Sequence, residues 1–385
     1  MNVVLFDNEQ TWNNLLPLTF TRPISEIRIG ILTIAQKWEK ALGLSISYHC
    51  KEYLSEKYKL NLSQNNLFIN ASVCPDAKLL AAIQGLQNNE ALYSGQLLIA
   101  YKHNEILQSY ESLSKKELDA EVLSISTPSD IFTKNDIALK ADFHLITNQR
   151  QSEKLDASVT VIGDRNLVFL EKGAKATACV LNTQSGPIYL GEDSEIMEGS
   201  VVRGPFALCE HSALKMSAKI YGATTIGPHS KVGGEVNNSV IFGYSNKAHD
   251  GFLGNSVIGE WCNLGADTNN SNLKNNYANV KLYNYPLKKA IDTGLQFCGL
   301  IMGDYSKSGI NTMFNTGTVV GVGCNIFGGG FPPTYIPSFS WGGSEGFERY
   351  QNEKLFETNT KVFERRGLHF NDQEKNILLA IQKLN

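Results

Sequence analysis

The chain has 385 residues and a formal net charge of −3, with 42% hydrophobic and 19% charged residues. This balance gives no reason to expect a nucleic-acid or anionic-membrane partner, and the length predicts more than one domain. No apolar run is long enough to span a bilayer, and residues 1–7 lack the basic head and apolar core of a secretion signal, so we expect a cytoplasmic protein.

The N-terminal third alternates between strand and helix patterns. Residues 3–6, 67–69 and 97–100 are short apolar runs typical of buried strands, and residues 31–42 carry apolar side chains at helical spacing. Alternating strands and helices predict an α/β domain with a mainly parallel sheet. We place this domain at residues 1–155.

The next segment repeats every six residues, a period that belongs to neither an α-helix nor an ordinary strand. An aliphatic residue occupies every sixth position in a run of eight: Leu190, Ile196, Val202, Leu208, Leu214, Ile220, Ile226 and Val232. Such hexapeptides predict a parallel β-helix in which each aliphatic side chain points inward and neighbouring coils bury it. We place this domain at residues 156–333.

The six-residue period is interrupted in several places. It breaks after Val232, places Lys247 at an inward position, and disappears from residue 269 to residue 299. A solenoid tolerates insertions only where a loop can leave a coil, so these breaks predict the binding surface. Residues 334–385 form a C-terminal extension, in which residues 354–366 and 372–384 are predicted helices.

The seven cysteines are scattered along the chain, and they are odd in number. None forms a Cys-x-x-Cys pair, so neither a disulfide framework nor a zinc site is indicated, and no metal site is predicted.

A family resemblance appears at the start of the chain. Residues 16–23, Leu-Pro-Leu-Thr-Phe-Thr-Arg-Pro, are similar to the Leu-x-Pro-Leu-Thr-x-x-x-Pro-Lys stretch of sugar nucleotidyltransferases. The two-part layout resembles the GlmU-like family, which comprises bifunctional N-acetylglucosamine-1-phosphate uridylyltransferase/glucosamine-1-phosphate acetyltransferases and archaeal sugar-1-phosphate nucleotidylyltransferases. The resemblance implies a nucleotidyltransferase-like domain with a Rossmann-like sheet, followed by a left-handed hexapeptide β-helix.

The N-terminal domain departs from that family at the positions that carry its chemistry. Residues 7–14 contain no glycine where the family has a glycine-rich phosphate loop, Ile24 replaces a lysine, and Ser72 replaces a Mg²⁺-binding aspartate. We therefore expect a degenerate domain that needs Mg²⁺ only if it is active. Arg22 and Arg28 are candidate phosphate-binding residues, with structural pairing of a loop as the alternative.

The β-helix retains more of the family's residues. Residues 247–254 resemble the segment whose histidine takes a proton from the attacking amine, which implies that His249 is the general base. Residues 258–268 resemble a family coil, so Gly265 and Ala266 are candidate contacts to acyl-CoA. Lys288 belongs to a basic insertion that suits phosphates of coenzyme A or a nucleotide sugar. The alternative is that His249 is a surface histidine and the lysines are solvated.

Five further positions are candidate substrate contacts by the same resemblance. Asn272 could bind a sugar or acyl oxygen and Lys281 a phosphate. Glu235 matches the family, Asn237 stands where the family has lysine, and Phe252 replaces a tyrosine. These two replacements are consistent with either an altered acceptor or lost activity.

The preferred function is acyl transfer from acetyl-CoA, or another acyl-CoA, to an amino-sugar phosphate or a nucleotide sugar. One alternative is an active sugar-1-phosphate nucleotidyltransferase whose β-helix is structural, and the other is a non-catalytic sugar-nucleotide-binding scaffold. Because three such β-helices pack side by side in this family, the resemblance also implies a homotrimer.

Overall fold

The computed structural model describes residues 2–384. An N-terminal sheet domain is followed by a parallel β-solenoid and by two C-terminal helices. The α-helices, numbered α1 to α7, are Glu9–Asn14, Ile34–Leu42, Ala77–Gln84, Pro128–Thr133, Asn135–Thr147, Asn352–Glu364 and Asp372–Leu384. Short 3₁₀ helices cover Ile24–Glu26, Glu52–Leu54 and Arg165–Leu167. Within residues 2–384, no helix is long and apolar enough to cross a membrane.

The N-terminal sheet has six strands and is mixed. Strands β1 to β6 are Asn2–Phe6, Ile46–His49, Asn66–Asn70, Glu90–Ser94, Leu97–His103 and Ser114–Glu117. Their order is β2-β1-β3-β5-β4-β6; β1 runs parallel to β2 and β3, whereas β5 is antiparallel to β3 and β4. Five of the six strands run in the same direction, so the sheet is mainly parallel as expected, and only β5 is reversed. Only residues 95 and 96 separate β4 from β5, and so short a link allows only an antiparallel pair.

Helix α2 shows how local sequence signals and tertiary packing combine in this domain. Thr33 and Gln36 form a capping box at its start, and Gly43 ends it in the left-handed conformation. Lys37 points inward and forms a buried ion pair with Asp142 of α5. That pair ties α2 to the helix that leads into the solenoid.

The solenoid confirms the hexapeptide prediction. Leu190 pairs with Leu208, and Leu208 pairs with Ile226, so three hexapeptides make one coil. All eight aliphatic residues of the uninterrupted run are at most 2% exposed. Stacking of the coils therefore buries a continuous apolar core, which is the main source of stability in such a repeat.

The coils build three faces, each a parallel sheet. The first face contains Thr160–Ile162, Val180–Asn182, Val201–Arg203, Lys219–Tyr221, Glu235–Asn237 and Phe252–Gly254. The second face contains Val168–Leu170, Ile188–Leu190, Phe206–Leu208, Thr224–Ile226, Val240–Gly243, Val257–Glu260, Ile301–Met302, Val319–Val320 and Tyr335–Ile336. The third face contains Lys175–Ala176, Glu195–Ile196, Ala213–Leu214, Lys231–Val232, Asn246–Lys247, Asn263–Leu264, Lys307–Ser308, Asn325–Ile326 and Ser340–Gly343, with Gly346–Arg349 added antiparallel at its end.

The long interruption of the period is an insertion with structure of its own. Its strands Lys281–Asn284 and Lys289–Asp292 form an antiparallel hairpin outside the prism. Asn269–Asn270 pairs with Met313–Phe314, so the coils before and after the insertion still stack. The loop therefore leaves the solenoid without interrupting it, as the sequence pattern predicted.

The two predicted C-terminal helices are present as α6 and α7, and both pack on the rest of the chain. Phe363 of α6 stacks on Trp261 of the solenoid with 3.8 Å between ring centroids. Glu374 of α7 accepts a hydrogen bond from the Tyr305 hydroxyl at 2.7 Å and pairs with Lys57 at 2.6 Å. Helix α7 therefore contacts both the solenoid and the N-terminal domain.

Candidate functional site

A cavity of about 670 Å³ lies beside the third face of the solenoid. Three of the residues selected from the sequence, His249, Gly265 and Ala266, line it together. Its volume is in the range of pockets that hold a small molecule. The structure thus brings the candidate base and the candidate acyl-CoA contacts to one place.

His249 is held where the chain leaves the third face. Lys247 points into the prism, and its Nζ donates a hydrogen bond to the His249 carbonyl oxygen at 2.7 Å. Burial lowers the pKa of Lys247 from 10.5 to about 8. The inward lysine noted in the sequence therefore fixes the backbone of His249, while the imidazole side chain remains exposed.

The opposite wall of the cavity is the turn at Gly265 and Ala266. A Cβ atom at Gly265 would lie 2.5 Å from the Gly309 carbonyl carbon, so only glycine fits between these stacked coils. The Gly265 N–H donates to the Ser308 carbonyl oxygen at 3.0 Å, and the Ala266 carbonyl oxygen accepts from the Asn311 N–H at 2.8 Å. This wall is rigid because both of its residues are hydrogen-bonded to the next coil.

Four basic side chains that were not selected from the sequence also line the cavity: Lys231, Lys307, Arg365 and Arg366. Burial lowers the pKa of Lys307 from 10.5 to about 8. Arg366 follows α6 and donates to the Asn246 side chain at 3.3 Å. The two adjacent arginines at the end of a predicted helix indicated a basic site. Because they lie more than 100 positions from His249, the sequence did not show that they share its cavity.

A column of stacked rings leads to this cavity along the corner between the second and third faces. His211 stacks on His229, His229 on Tyr244, and Tyr244 on Trp261, with centroid distances of 4.8, 4.7 and 4.2 Å. Phe363 of α6 ends the column. Tyr244 and Trp261 line the cavity, so α6 and the column together set its shape.

The candidate substrate contacts on the first face lie apart from the His249 cavity. Asn272 donates from Nδ2 to the Asn255 side chain at 2.8 Å, and the Phe252 N–H donates to the Asn269 side chain at 2.7 Å. None of the first-face candidates is among the described residues that line the cavity.

Glu235 and Asn237 share one strand of the same face. The carboxylate of Glu235 accepts from the Tyr221 hydroxyl at 2.6 Å and pairs with Lys219 at 3.4 Å. Asn237 lies against Gly222, so close that a Cβ atom added to Gly222 would be 2.5 Å from Asn237 Oδ1. Within one chain, these two side chains contact neighbouring coils.

Lys281 and Lys288 lie on the insertion hairpin. Lys281 is exposed at the start of the first hairpin strand. Lys288 lines a different cavity, of about 990 Å³, between the hairpin and the N-terminal domain. Neither lysine is therefore placed at the cavity of His249.

The proposed phosphate-binding role of Arg22 and Arg28 needs correction. The Arg22 guanidinium is buried in ion pairs with Asp304 and, at 3.3 Å, with Glu260. Arg28 is also buried, and its Nε donates to the Phe242 carbonyl oxygen at 3.1 Å. Both arginines bind the solenoid, so they join the two domains instead of facing a ligand.

The N-terminal positions that replace family residues carry local structure. The Asn8 side chain caps α1 by accepting from the Thr11 N–H at 3.1 Å, so most of the glycine-free segment 7–14 is helical. The Ser72 hydroxyl is buried and donates to the Asn70 side chain at 2.8 Å. Among residues 2–384, no group of three or more His, Cys, Asp or Glu side chains is arranged to hold a metal ion.

Asp7 directly follows β1 and contacts the start of the 3₁₀ helix Ile24–Glu26. Its Oδ1 accepts from the Ile24 N–H at 3.0 Å. Burial raises the pKa of Asp7 from 3.8 to about 7. Ile24 thus contacts Asp7 through its backbone N–H.

Residues 3–151 match the family model described as sugar nucleotidyl transferase. The chain is also similar to the bifunctional protein GlmU of Methanocaldococcus jannaschii, with 36% identity over 24% of this chain and 22% of the relative. The predicted resemblance to the GlmU-like sugar nucleotidyltransferases is therefore confirmed.

Two further relatives extend the match. A bifunctional sugar-1-phosphate nucleotidylyltransferase/acetyltransferase of Sulfurisphaera tokodaii is 31% identical over 37% of this chain and 36% of its own. The GlmU protein of Synechococcus elongatus is 23% identical over 54% of this chain and 46% of its own. These matches span less than half the length of each relative.

Among solved structures, an Arabidopsis UDP-N-acetylglucosamine acyltransferase aligns with 54% of this chain and 77% of its own, at 16% identity and a TM-score of 0.24. A likeness at this level supports no inference about function.

Proposed function

We propose that the protein is an acyltransferase that moves the acyl group of acetyl-CoA, or another acyl-CoA, to the amine of an amino-sugar phosphate or a nucleotide sugar. The observation that carries the proposal is the cavity that His249 shares with Gly265 and Ala266. The relatives named as acetyltransferases support it.

The reaction follows from the residues around the cavity. The substrate amine attacks the thioester carbonyl carbon, a C–N bond forms, the C–S bond breaks, and coenzyme A leaves as its thiol. Imidazole titrates near neutral pH and is suited to take the proton that the amine loses. In this proposal His249 removes that proton and passes it to the departing sulfur.

The charge of the cavity suits a phosphorylated substrate. Lys231, Lys307, Arg365 and Arg366 line it, and guanidinium groups bind phosphate oxygens through paired N–H donors. Both acyl-CoA and an amino-sugar phosphate carry phosphate groups. We assign the two arginines after α6 to phosphate binding, because they lie at the cavity and pair with no carboxylate among the described residues.

We further propose that the functional unit is a homotrimer. Ile162, Val201 and Tyr221 lie on the first face and expose 42%, 48% and 37% of their surfaces. These exposed apolar side chains alternate with polar ones such as Asn182 and Lys219, a mixture that suits an interface with another copy. In such a trimer Phe252 of the first face and Asn272 in the neighbouring loop of one chain would complete the His249 cavity of the next chain.

For the N-terminal domain we propose weak or absent nucleotidyl transfer. The glycine loop is replaced by α1, and the Ser72 hydroxyl is engaged by Asn70. An active sugar-1-phosphate nucleotidyltransferase, dependent on Mg²⁺, is the second candidate, favoured by the family match over residues 3–151. A non-catalytic sugar-nucleotide-binding scaffold is the third.

The test is release of the coenzyme A thiol. Purified protein is incubated with acetyl-CoA and a panel of amino-sugar 1-phosphates and nucleotide amino sugars, and thiol release is followed by a colorimetric reagent. Acceptor-dependent release supports the proposal. Saturable binding of a nucleotide sugar without any thiol release, and without pyrophosphate release from an NTP, would instead favour the scaffold.

A further inference from the structure

Lys307 brings a lysine amine into the cavity of His249. It lies on the third face beside Asn263, and both residues line the cavity. The Ser308 carbonyl oxygen, one position further along the same strand, accepts a hydrogen bond from the Gly265 N–H at 3.0 Å. Lys307 therefore belongs to the strand that directly adjoins the turn with the candidate acyl-CoA contacts.

No carboxylate balances the charge of this amine. The cavity is lined by the cationic side chains of Lys231, Arg365 and Arg366 and, among the described residues, by no aspartate or glutamate. The Lys307 Nζ donates to the Tyr305 carbonyl oxygen at 3.1 Å. A charged amine carries three N–H donors, and the described residues accept only this one. The surroundings therefore favour the neutral amine more than water around an exposed lysine does.

The partly buried amine of Lys307 is also chemically reactive. Because burial lowers its pKa to about 8, about a tenth of the side chain is neutral at pH 7 and about half at pH 8. A neutral amine that donates one N–H to Tyr305 keeps its lone pair free. Such an amine is a nucleophile towards a carbonyl carbon.

Two other lysines of the third face each share only one of these properties. Burial also lowers the pKa of Lys247 to about 8, but this side chain points into the prism and does not line the cavity. Lys231 lines the cavity but is exposed. Among the described lysines, only Lys307 both lines the cavity and is partly buried there.

We propose that Lys307 is a site of self-acylation. When no amino-sugar acceptor is bound, its neutral amine attacks the thioester carbonyl carbon of an acyl-CoA in the His249 cavity. A C–N bond forms, the C–S bond breaks, and coenzyme A leaves as its thiol. The proton that the nitrogen loses passes to the imidazole of His249 and from there to the sulfur. This inference rests on the proposed function, because it requires acyl-CoA in this cavity.

Self-acylation changes both the charge and the free volume of the cavity. Its product is an amide, which is neutral and chemically stable. The modification removes the positive charge of Lys307 and places the acyl group in the space that a substrate amine enters. A chain that holds acyl-CoA while acceptor is scarce thus inactivates itself.

The test is mass spectrometry of the full chain after incubation with acetyl-CoA and no acceptor. We expect one acetyl group per chain, located at Lys307 by fragmentation of its peptide. Lys231 and Lys247 should react at least about tenfold more slowly, because neither combines a neutral amine with a place in the cavity. After unfolding in urea the three lysines should react at similar rates. Equal reactivity of the three lysines in the folded protein would overturn the proposal.

Variants and a competitor locate the reaction in the cavity. Lys307→Arg should abolish the modification, with folding checked by thermal unfolding. Lys289→Arg is the matched control and should be acetylated as the parent is, because Lys289 is exposed on the insertion hairpin and does not line the cavity. Excess desulfo-coenzyme A should slow the modification by occupying the same cavity. A modification rate unchanged by this competitor would mean that acetyl-CoA reacts from solution, and the proposal would fail.

The pH profile reports the state of the nucleophile. The rate of Lys307 acetylation should rise up to about pH 8 and level off above it, because the amine is then already neutral. A rate that keeps rising from about pH 8 to pH 10 would show an ordinary solvated lysine and contradict the proposal.

Thiol release with amino-sugar acceptors, measured on the same preparation, separates this inference from the proposed function. Acceptor-dependent release with Lys307 unmodified would refute self-acylation and leave the proposed function standing. Acetylation of Lys307 without any acceptor-dependent release would support self-acylation and contradict the proposed function. Protein already acetylated at Lys307 should show little acceptor-dependent release, and full turnover by that protein would refute the self-inactivation.

Discussion

Arg22 of the N-terminal domain and Asp304 of the solenoid form an ion pair buried between the two domains. Glu260 shares the guanidinium at 3.3 Å, and the Thr21 hydroxyl donates to Asp304 at 2.7 Å. Burial disfavours the charge on Arg22, but the two carboxylates outweigh it and raise its pKa well above the ordinary value. The guanidinium of Arg22 therefore remains charged, and it joins the two domains through Asp304 and Glu260.

Removal of one partner of this pair should strongly destabilise the protein. We expect Arg22→Met to lower the free energy of unfolding by about 3–5 kcal/mol, because a buried carboxylate loses its counterion. Arg150→Met is the control, since Arg150 pairs with Glu171 with about half of its side chain exposed. Its cost should be about 1 kcal/mol or less. If the two variants lose equal free energy of unfolding in chemical denaturation, the buried interdomain pair stabilises the fold no more than the exposed pair does.

Substitution of His249 tests the acyl-transfer proposal directly. His249→Ala should lower the rate of acyl transfer about 10²- to 10⁴-fold, which is the usual contribution of a general base. His211→Ala, in the exposed part of the ring column, should leave the rate within about twofold. Full activity in a folded His249 variant would show that His249 is not the general base. Lys307 would then be the next residue to substitute.

The buried amine of Lys247 predicts a pH-dependent stability. Its pKa falls from 10.5 to about 8 on folding, so the unfolded chain binds more protons between those pH values. The contribution of Lys247 to the free energy of unfolding should therefore rise between about pH 8 and pH 10.5, by up to about 3 kcal/mol.

The measurement compares urea unfolding of the parent and Lys247→Met at pH 8 and pH 10. The free energy of unfolding of the parent, relative to that of Lys247→Met, should be larger at pH 10 than at pH 8. Lys231→Met serves as control, because Lys231 is exposed on the adjacent strand and should show no such shift. A pH-independent difference for Lys247 would contradict the lowered pKa.

The N-terminal domain should be a poor nucleotidyltransferase. Each lost electrostatic contact to a transition state costs about 2.7–4 kcal/mol, and several are replaced here, so the rate should fall by orders of magnitude. The rate of nucleotidyl transfer is measured as pyrophosphate release in a mixture of an NTP, a sugar 1-phosphate and Mg²⁺. Robust formation of a nucleotide sugar would show that other side chains have rebuilt the site.

Light scattering at micromolar concentration should give the mass of a trimer. Val201→Glu combined with Tyr221→Glu should shift the protein towards monomer, because charges on the first face oppose its packing. Glu195→Lys on the third face is the control and should leave the mass unchanged. A monomeric parent protein would contradict an active site shared between chains.

The sequence determined the architecture of the solenoid and the composition of part of the site. The period of six depends only on local side-chain direction, so the run from Leu190 to Val232 was sufficient to predict buried, stacked coils. The interruption at residues 269–299 likewise predicted where the hairpin leaves the prism. His249, Gly265 and Ala266 are close in sequence, and one or two coils bring them into the same cavity.

Tertiary structure alone decided the contacts between distant segments. Arg22 and Asp304 are 282 positions apart, and nothing in the local pattern of either distinguishes a phosphate-binding arginine from an interdomain one. Arg366 reaches the His249 cavity, and Lys288 reaches the cavity between the hairpin and the N-terminal domain, only because α6 and the hairpin pack back onto the solenoid. Periodicity reports which way a side chain points from its own strand or helix, whereas the partner it meets depends on how whole elements pack.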